Sequence, residues 1–260
     1  MYILAIDTTG RIGSVALINE EGNILGEETC SSQMSHLKDL VPMVQRLLKN
    51  VGVDKENITV IAPSVGPGSF TGIRIGVATA RALCQGLNIS KALAVPTLQS
   101  FLYCDGALEQ KKKGNGERPV ICPIINARRG QVYGLVENCM EAGPYMLTDV
   151  LEAVKKQVLS KGRKVYFMGD GIDAYRDEII KELGDFCTSD GCFEEMVSFA
   201  PADRRYQDAK GAARLAYHML KAGKNTVNYW DVTPDYMRKA EAEQKLEAGQ
   251  LPICKGPKQE

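Results

Sequence analysis

Apolar residues near the N-terminus fall in short blocks separated by polar turns. Residues 2–6, 14–18 and 24–29 are such blocks, divided by Asp7-Thr-Thr-Gly10 and Glu20-Glu-Gly-Asn23. Runs of this length between turn residues predict three strands, the last two joined as a hairpin. The period then changes. Leu37, Leu40, Val41, Val44, Leu47, Leu48 and Val51 recur at the i, i+3, i+4, i+7 spacing of one buried helix face. Ser35 stands where a cap belongs, and Pro42 inside the pattern predicts a kink or an early first turn. Residues 58–62 predict a fourth strand, the Gly-rich stretch from Gly66 a tight turn, and the Ala-rich stretch to about Gly86 a second helix. A short strand at 92–95 and a third helix opened by Pro96, running to about Cys104, complete the first half.

Residues 106–118 are polar, charged and Gly-rich, and predict a solvated linker that includes Lys111-Lys-Lys113. After it the pattern restarts. Strands are predicted at 120–126, 131–137 and 145–147, with a turn at Ala127-Arg-Arg-Gly130. A helix capped by Thr148 or Asp149 follows to about Leu159, then a strand at 164–168, the turn Gly169-Asp-Gly171 and a helix to about Leu183. Residues 184–199 are irregular with one short strand, and 203–221 form the last long helix. The order β-β-β-α-β-α-β-α thus occurs twice, the second time less regularly. Two similar α/β lobes with mixed sheets are expected, over residues 1–108 and 109–260.

Composition narrows the function classes. The chain has 260 residues, with 32 basic and 32 acidic side chains, so no net field draws nucleic acid, membranes or acidic substrates. The first apolar run stops at Asp7, too short for a signal peptide or membrane span. Eight cysteines occur singly, with no C-x-x-C pair, and only two histidines are present. Reduced, mostly buried thiols in a cytoplasmic protein are expected, without a zinc site.

The candidate chemistry sits in the turns. Gly66-Pro-Gly-Ser-Phe-Thr-Gly-Ile-Arg-Ile-Gly76 joins a strand to a helix, as phosphate cradles do. It lacks the Lys of the Walker form and the spaced glycines and distant acid of the dinucleotide form. A plain strand-to-helix turn is the alternative. Asp7 with Thr8 and Thr9 is either a nucleotide turn holding Mg²⁺ through water or a turn whose carboxylate accepts backbone N–H groups. The matching second-lobe turn, Asn126-Ala-Arg-Arg129, has no carboxylate, and Gly169-Asp-Gly171 is either an adenosine contact or another turn. His36 and His218 have no second imidazole one turn away, which leaves Ser, Cys and Thr nucleophiles without a recognisable base. Cys84 and Cys104 lie among apolar neighbours and are expected to be small core residues.

Several motifs in fixed order carry a resemblance. Ile3-Leu-Ala-Ile-Asp-Thr-Thr9, Ser14-Val-Ala-Leu17, the Gly66–Gly76 element, Val95-Pro-Thr-Leu98, Asn126-Ala-Arg-Arg129 with Val132-Tyr133, and Pro234-Asp-Tyr-Met-Arg238 together resemble the TsaB family, also called YeaZ. The resemblance spans essentially the whole chain. It implies a two-lobed actin-like (ASKHA) fold. It also implies a non-catalytic scaffold or dimerisation subunit of the machinery that makes N6-threonylcarbamoyladenosine at position 37 of tRNAs reading ANN codons. The implied partners are the catalytic paralogue TsaD and the ATPase TsaE, with tRNA reached through the complex. A phosphotransferase of the sugar-kinase class is the alternative for this fold.

In the paralogue the segment after the fifth strand carries a metal-binding His-x-x-x-His; by resemblance the positions here are Thr97 and Phe101, which cannot replace imidazoles. No cofactor is expected to be required, and any ATP or ADP with Mg²⁺ at Asp7, Thr8 and Thr9 is expected to bind weakly. The family docks its paralogue through the first two helices, which also offer a homodimer surface. That places the expected interface at Leu37, Leu40, Met43 and Val44 on helix one and at Ile73, Gly76, Val77, Thr79 and Ala80 on helix two. Lys38, Arg46 and Lys49 would form its rim, and Gly72, Gly76 and Ala80 a row of small residues along which another element can approach.

Overall fold

The structure, a computed structural model, describes residues 1–30, 36–113, 118–187 and 192–237. Its first sheet is built from β1 (Tyr2–Asp7), β2 (Ser14–Ile18), β3 (Ile24–Thr29) and β4 (Ile58–Gly66), joined by β5 (Lys91–Ala92) and β6 (Val95–Pro96). The order is β3-β2-β1-β4-β5, with β6 also pairing β4. β1 and β2 run antiparallel with Asp7 opposite Ser14, while β1 and β4 are parallel with Ala5 opposite Ala62. Both faces of β1 and β2 are covered, which is why they read as unbroken apolar runs instead of alternating ones.

Helices α1 (His36–Val51) and α2 (Phe70–Gly86) cover one face. The α1 stripe of Leu40, Met43, Val44, Leu47 and Leu48 is buried against Leu4, Ile6, Val15 and Leu17. Each such side chain contributes about 1.5–3 kcal/mol by leaving water. Pro42 lies within α1, and the helix continues past it. The expected Ser35 cap falls outside the described residues.

The second sheet repeats the plan. β7 (Val120–Arg128), β8 (Gln131–Val136), β9 (Met140–Met146), β10 (Val165–Met168) and β11 (Val197–Phe199) stand in the order β9-β8-β7-β10-β11. Helices α5 (Leu147–Gln157) and α6 (Gly171–Gly184) cover one face through Leu147, Val150, Leu151, Val154, Ile172 and Ile179.

The remaining face of each sheet is covered by chain from the other half. After β6 come α3 (Thr97–Ser100), a 3₁₀ turn at Phe101–Tyr103, and α4 (Asp105–Lys113). Their Leu98, Phe101, Cys104 and Ala107 pack with Ile121, Ile125, Tyr166 and Met168 of the second sheet. Conversely α8 (Ala209–Lys221), which follows the short α7 (Cys192–Met196), lays Ala209, Ala212, Ala213 and Ala216 on Ile3, Ala5, Ala16 and Ile18 of the first sheet. β12 (Val227–Asn228) then joins the first sheet beside β5. Chain from 209 to 232 therefore contacts the first sheet, whereas the expected division at 108/109 groups it with the second.

Several local expectations change. The linker at 106–118 is helix as far as Lys113; Ala107 is fully buried, and Lys111 donates to the Leu102 carbonyl and pairs with Glu137. The third helix is only four residues and a 3₁₀ turn. The strand at 92–95 splits into β5 and β6, and the edge strand at 145–147 is the seven-residue β9. The α5 cap is Met146, whose N–H donates to the Asp149 carboxylate at 3.3 Å. The last helix starts at Ala209, where the Asp208 side chain accepts the Gly211 N–H, instead of at 203.

Candidate functional site

The first turn closes on itself. Asp7 ends β1 with a fully buried carboxylate. Its Oδ1 accepts the Thr9 N–H and the Thr9 hydroxyl, both at 2.9 Å, and its Oδ2 accepts the Ser64 hydroxyl at 2.5 Å from the end of β4. Thr8 donates to the Gly72 carbonyl at 2.7 Å, and Gln207 Nε2 donates to Thr9 Oγ1 at 3.3 Å. The carboxylate thus organises the turn, as backbone-capping acids do.

The Gly-rich loop lies on this turn. Ser69 N–H donates to the Thr9 carbonyl at 2.8 Å, and a Cβ on Gly68 would stand 2.5 Å from that oxygen. On the loop's other side a Cβ on Gly66 would meet the Asp235 carbonyl at 2.4 Å, and Asp235 N–H donates to the Val65 carbonyl. A phosphate cradle needs its backbone N–H groups turned to open space. Here the β1–β2 turn and the C-terminal segment occupy both sides, so the loop is a packed strand-to-helix turn.

In the second lobe the corresponding turns are engaged with each other. Asn126 N–H donates to Asp170 Oδ1 at 2.8 Å, and Tyr175 donates to Asn126 Oδ1 at 3.2 Å. Burial raises the Asp170 carboxyl above its ordinary range, and the nearby Asp173 adds to this. Gly169 has φ +95°, and a Cβ there would stand 2.1 Å from the Ile124 carbonyl, which fixes the residue type. Arg11 bridges the lobes: its guanidinium lies 3.5 Å from Asp173, which also pairs with Arg205 and accepts the Tyr206 hydroxyl at 2.7 Å.

Beneath the first turn lies a charged cluster. Lys210 reaches Asp105 at 2.6 Å and Glu27 at 3.3 Å, and Arg214 reaches Asp105 at 2.8 Å. Burial, then the charge of Asp208, raises Glu27; burial first, then nearby Asp105 and Asp7, raises Asp208. The Cys104 thiol is pushed well up, chiefly by burial and then by Asp208. Cys84 is pushed up to about 11 by burial. Both thiols are core residues without nucleophilic character at neutral pH.

Thr97 and Phe101 are fully buried, and the Thr97 hydroxyl has no hydrogen-bond partner among the described residues. His218 lies against the Tyr103 ring at 5.0 Å, and the His36 side chain is outside the described residues. Among the described residues no group of three His, Cys, Asp or Glu is arranged to hold a metal ion. Cys84, Cys104, Cys122 and Cys139 are free thiols.

The expected interface positions are brought together, but inside the molecule. Leu40, Met43, Val44, Ile73, Gly76, Val77 and Ala80 are buried in the core of the first lobe. Thr79 is half-buried, and the Leu37 side chain is outside the described residues. A Cβ on Gly76 would meet Thr8 Oγ1 at 2.4 Å, so the small-residue row admits the home sheet and not a visitor. The outward face of the same helices carries Val41, 44% exposed, with Gln45 on α1 and Ala78 and Ala82 on α2. Val41 was expected in the buried stripe, but Met43 takes that place in the core and Val41 turns outward.

The duplicated 3-2-1-4-5 sheets, the facing turns and the exchanged helices define a two-lobed α/β protein of the actin-like class. A family model described as TsaD, tRNA N6-adenosine threonylcarbamoyltransferase, matches residues 23–246. The tRNA threonylcarbamoyladenosine biosynthesis protein TsaB of Bacillus subtilis is 30% identical over 253 residues, 94% of this chain and 97% of that one. TsaB of Escherichia coli is 38% identical over 133 residues, about half of each chain. The solved structure of YeaZ from Pseudomonas aeruginosa shares the fold, with TM-score 0.63 and 21% identity over 90% of this chain and 99% of that one. The chain belongs to the TsaB (YeaZ) family.

Proposed function

We propose that this chain is a non-catalytic scaffold subunit of the complex that installs N6-threonylcarbamoyl on adenosine 37 of tRNAs reading ANN codons. It acts in the cytoplasm by supporting the catalytic paralogue TsaD. The names of its TsaB relatives and the match to the TsaD family model support the pathway. One observation carries the non-catalytic part. The two positions that resemble the paralogue's metal-binding histidines, Thr97 and Phe101, are side chains of the buried core and offer no imidazole to a ligand. The fully buried, hydrogen-bonded Asp7 supports a reading in which no nucleotide is required and ATP or ADP with Mg²⁺ binds weakly.

Docking uses the outward face of α1 and α2, around Val41, Gln45, Ala78 and Ala82, and the same face serves a homodimer when the paralogue is absent. The ATPase TsaE joins that complex, and tRNA reaches the chain only through it. The test is reconstitution. Purified chain with tRNA and threonylcarbamoyl-adenylate should yield no modified tRNA, and adding the transferase should yield it with a rate that depends on this chain. Appreciable modification by the chain alone would contradict the proposal, as would a transferase rate indifferent to it.

A further inference from the structure

The last described stretch, from Val227 to Met237, runs back along α2 as a strap. Arg81 on α2 donates to the strap carbonyls of Trp230 at 2.9 Å and Val232 at 2.6 Å. Seven residues earlier, Arg74 donates through Nε to the Tyr236 hydroxyl at 2.8 Å. The same guanidinium lies 3.9 Å from the centre of the Phe70 ring, and the Phe70 and Tyr236 rings are 4.7 Å apart. Both arginines are therefore committed to the strap. Outward, the strap and the start of α2 present three rings, Trp230 56% exposed, Phe70 39% and Tyr236 37%, beside the exposed Asp231 and Asp235.

These rings bracket a length of helix. Arg74 and Arg81 are about 10 Å apart along the α2 axis. The exposed residue between them is Ala78, with Ala82 just beyond and Ile75 half-buried. The result is a small-residue stretch of α2 flanked by aromatic rings, next to the outward face of α1 and α2. Exposed Trp, Tyr and Phe around a small-residue helix face have the composition of interface anchors.

We propose that Trp230, Phe70 and Tyr236 contact the paralogous tRNA N6-adenosine threonylcarbamoyltransferase directly and form the second wall of the docking face. The inference rests on the docking reading above and extends it from the helices to the strap. The choice of occupant follows from the fold. The transferase family model matches a span that contains α1, α2 and the strap, so a partner of that family has a corresponding helix pair. A helix of that partner laid along α2 would set apolar side chains against Ala78 and between the rings, with Asp231 and Asp235 at the edge of the contact.

The experiment uses the full chain and the purified transferase. Trp230 is the only tryptophan, so incorporation of 5-fluorotryptophan gives one ¹⁹F signal on the strap itself without any substitution. Adding transferase should shift or broaden that signal. In calorimetry, Trp230→Ala and the pair Phe70→Ala with Tyr236→Ala should each weaken binding about tenfold or more. Ala78→Arg, on the helix face, should abolish it. If Ala78→Arg abolishes binding while the ¹⁹F signal is unmoved and the aromatic variants bind normally, the strap contact is wrong and the helix docking stands. If Ala78→Arg also binds normally, the docking reading itself falls. Should Trp230→Ala disturb only self-association, measured by sedimentation, the occupant is a second copy and the proposal is overturned.

Discussion

Gly72 has no room for a methyl group. A Cβ there would lie 1.9 Å from the Thr8 carbonyl, and at Gly76 one would lie 2.4 Å from the Thr8 hydroxyl. Because both neighbours belong to Thr8, in the turn directly after β1, the approach of α2 to that turn is what a side chain would break. Ala is worth about 1 kcal/mol over Gly in a helix interior. Overpacking against backbone costs about 1–3 kcal/mol or more and should win at this distance. Gly72→Ala is expected to lower the melting temperature by several degrees, whereas Gly86→Ala, with nothing within 4 Å of its Cβ, should leave it unchanged or slightly raised. Equal melting temperatures for Gly72→Ala and wild type would refute this placement of the helix. The spacing of Gly72, Gly76 and Ala80 was legible in the sequence. Periodicity says which residues share a face, but not whether the home sheet or a visitor lies opposite. Asp7 admits two readings in the sequence for a similar reason: its contacts with Ser64 and Thr9 depend on how the chain folds around the turn.

Elements defined by apolar runs were legible, and elements defined by partners were not. β1 to β4 follow from unbroken hydrophobic blocks, and α1 and α5 from their stripes. α4 was missed because a polar run such as Gln110-Lys-Lys-Lys113 has no stripe; Ala107 on the second sheet and Lys111 on Glu137 hold it instead. β9 was shortened by Gly143 and Pro144, which an edge strand tolerates. The start of α8 yields a prediction. Asp208 caps the helix and has a raised pKa, chiefly through burial, as does Glu27 nearby. A carboxyl with a raised folded pKa favours the fold in its protonated form. Its contribution is full below the ordinary value of about 4 and is lost as pH rises through the folded value. Asp105, whose pKa is lowered, acts in the opposite sense at lower pH: its contribution is lost as pH falls through the depressed value. Asn caps helices as well as Asp does. Asp208→Asn is therefore expected to raise stability near neutral pH and to flatten the stability curve just above pH 4, measured by denaturant unfolding at a series of pH values. A variant less stable at pH 7, with an unchanged slope, would show that Lys210 outweighs burial at this site.

At the scale of the whole molecule the repeat was legible and the exchange of helices was not. Each half of the sequence reads as a complete α/β lobe, yet each sheet takes the cover of one face from the other half. The α8 face is Ala209, Ala212, Ala213 and Ala216, small residues that signal close packing without naming the partner. Contact between the exchanged segments is equally close: a Cβ on Gly211 of α8 would stand 2.5 Å from Cys104 Sγ and 2.7 Å from the Ser100 carbonyl. A fragment of residues 1–108 would therefore leave Ile3, Ala5, Ala16, Ile18, Val60 and Ala62 uncovered on one sheet face. It would also carry Leu98, Phe101, Cys104 and Ala107 with no second sheet to receive them. Exposed apolar surface on that scale drives aggregation or leaves a compact, dye-binding state without fixed side chains. The fragment is expected to bind a hydrophobic dye strongly and to lack a dispersed NMR spectrum, while the intact chain unfolds in one calorimetric transition. Co-expression with residues 109–260 should restore native dispersion, because that piece supplies α8. A dispersed spectrum and a cooperative melt from 1–108 alone would mean that the first lobe stabilises itself, and that the exchanged helices join two finished domains instead of completing them.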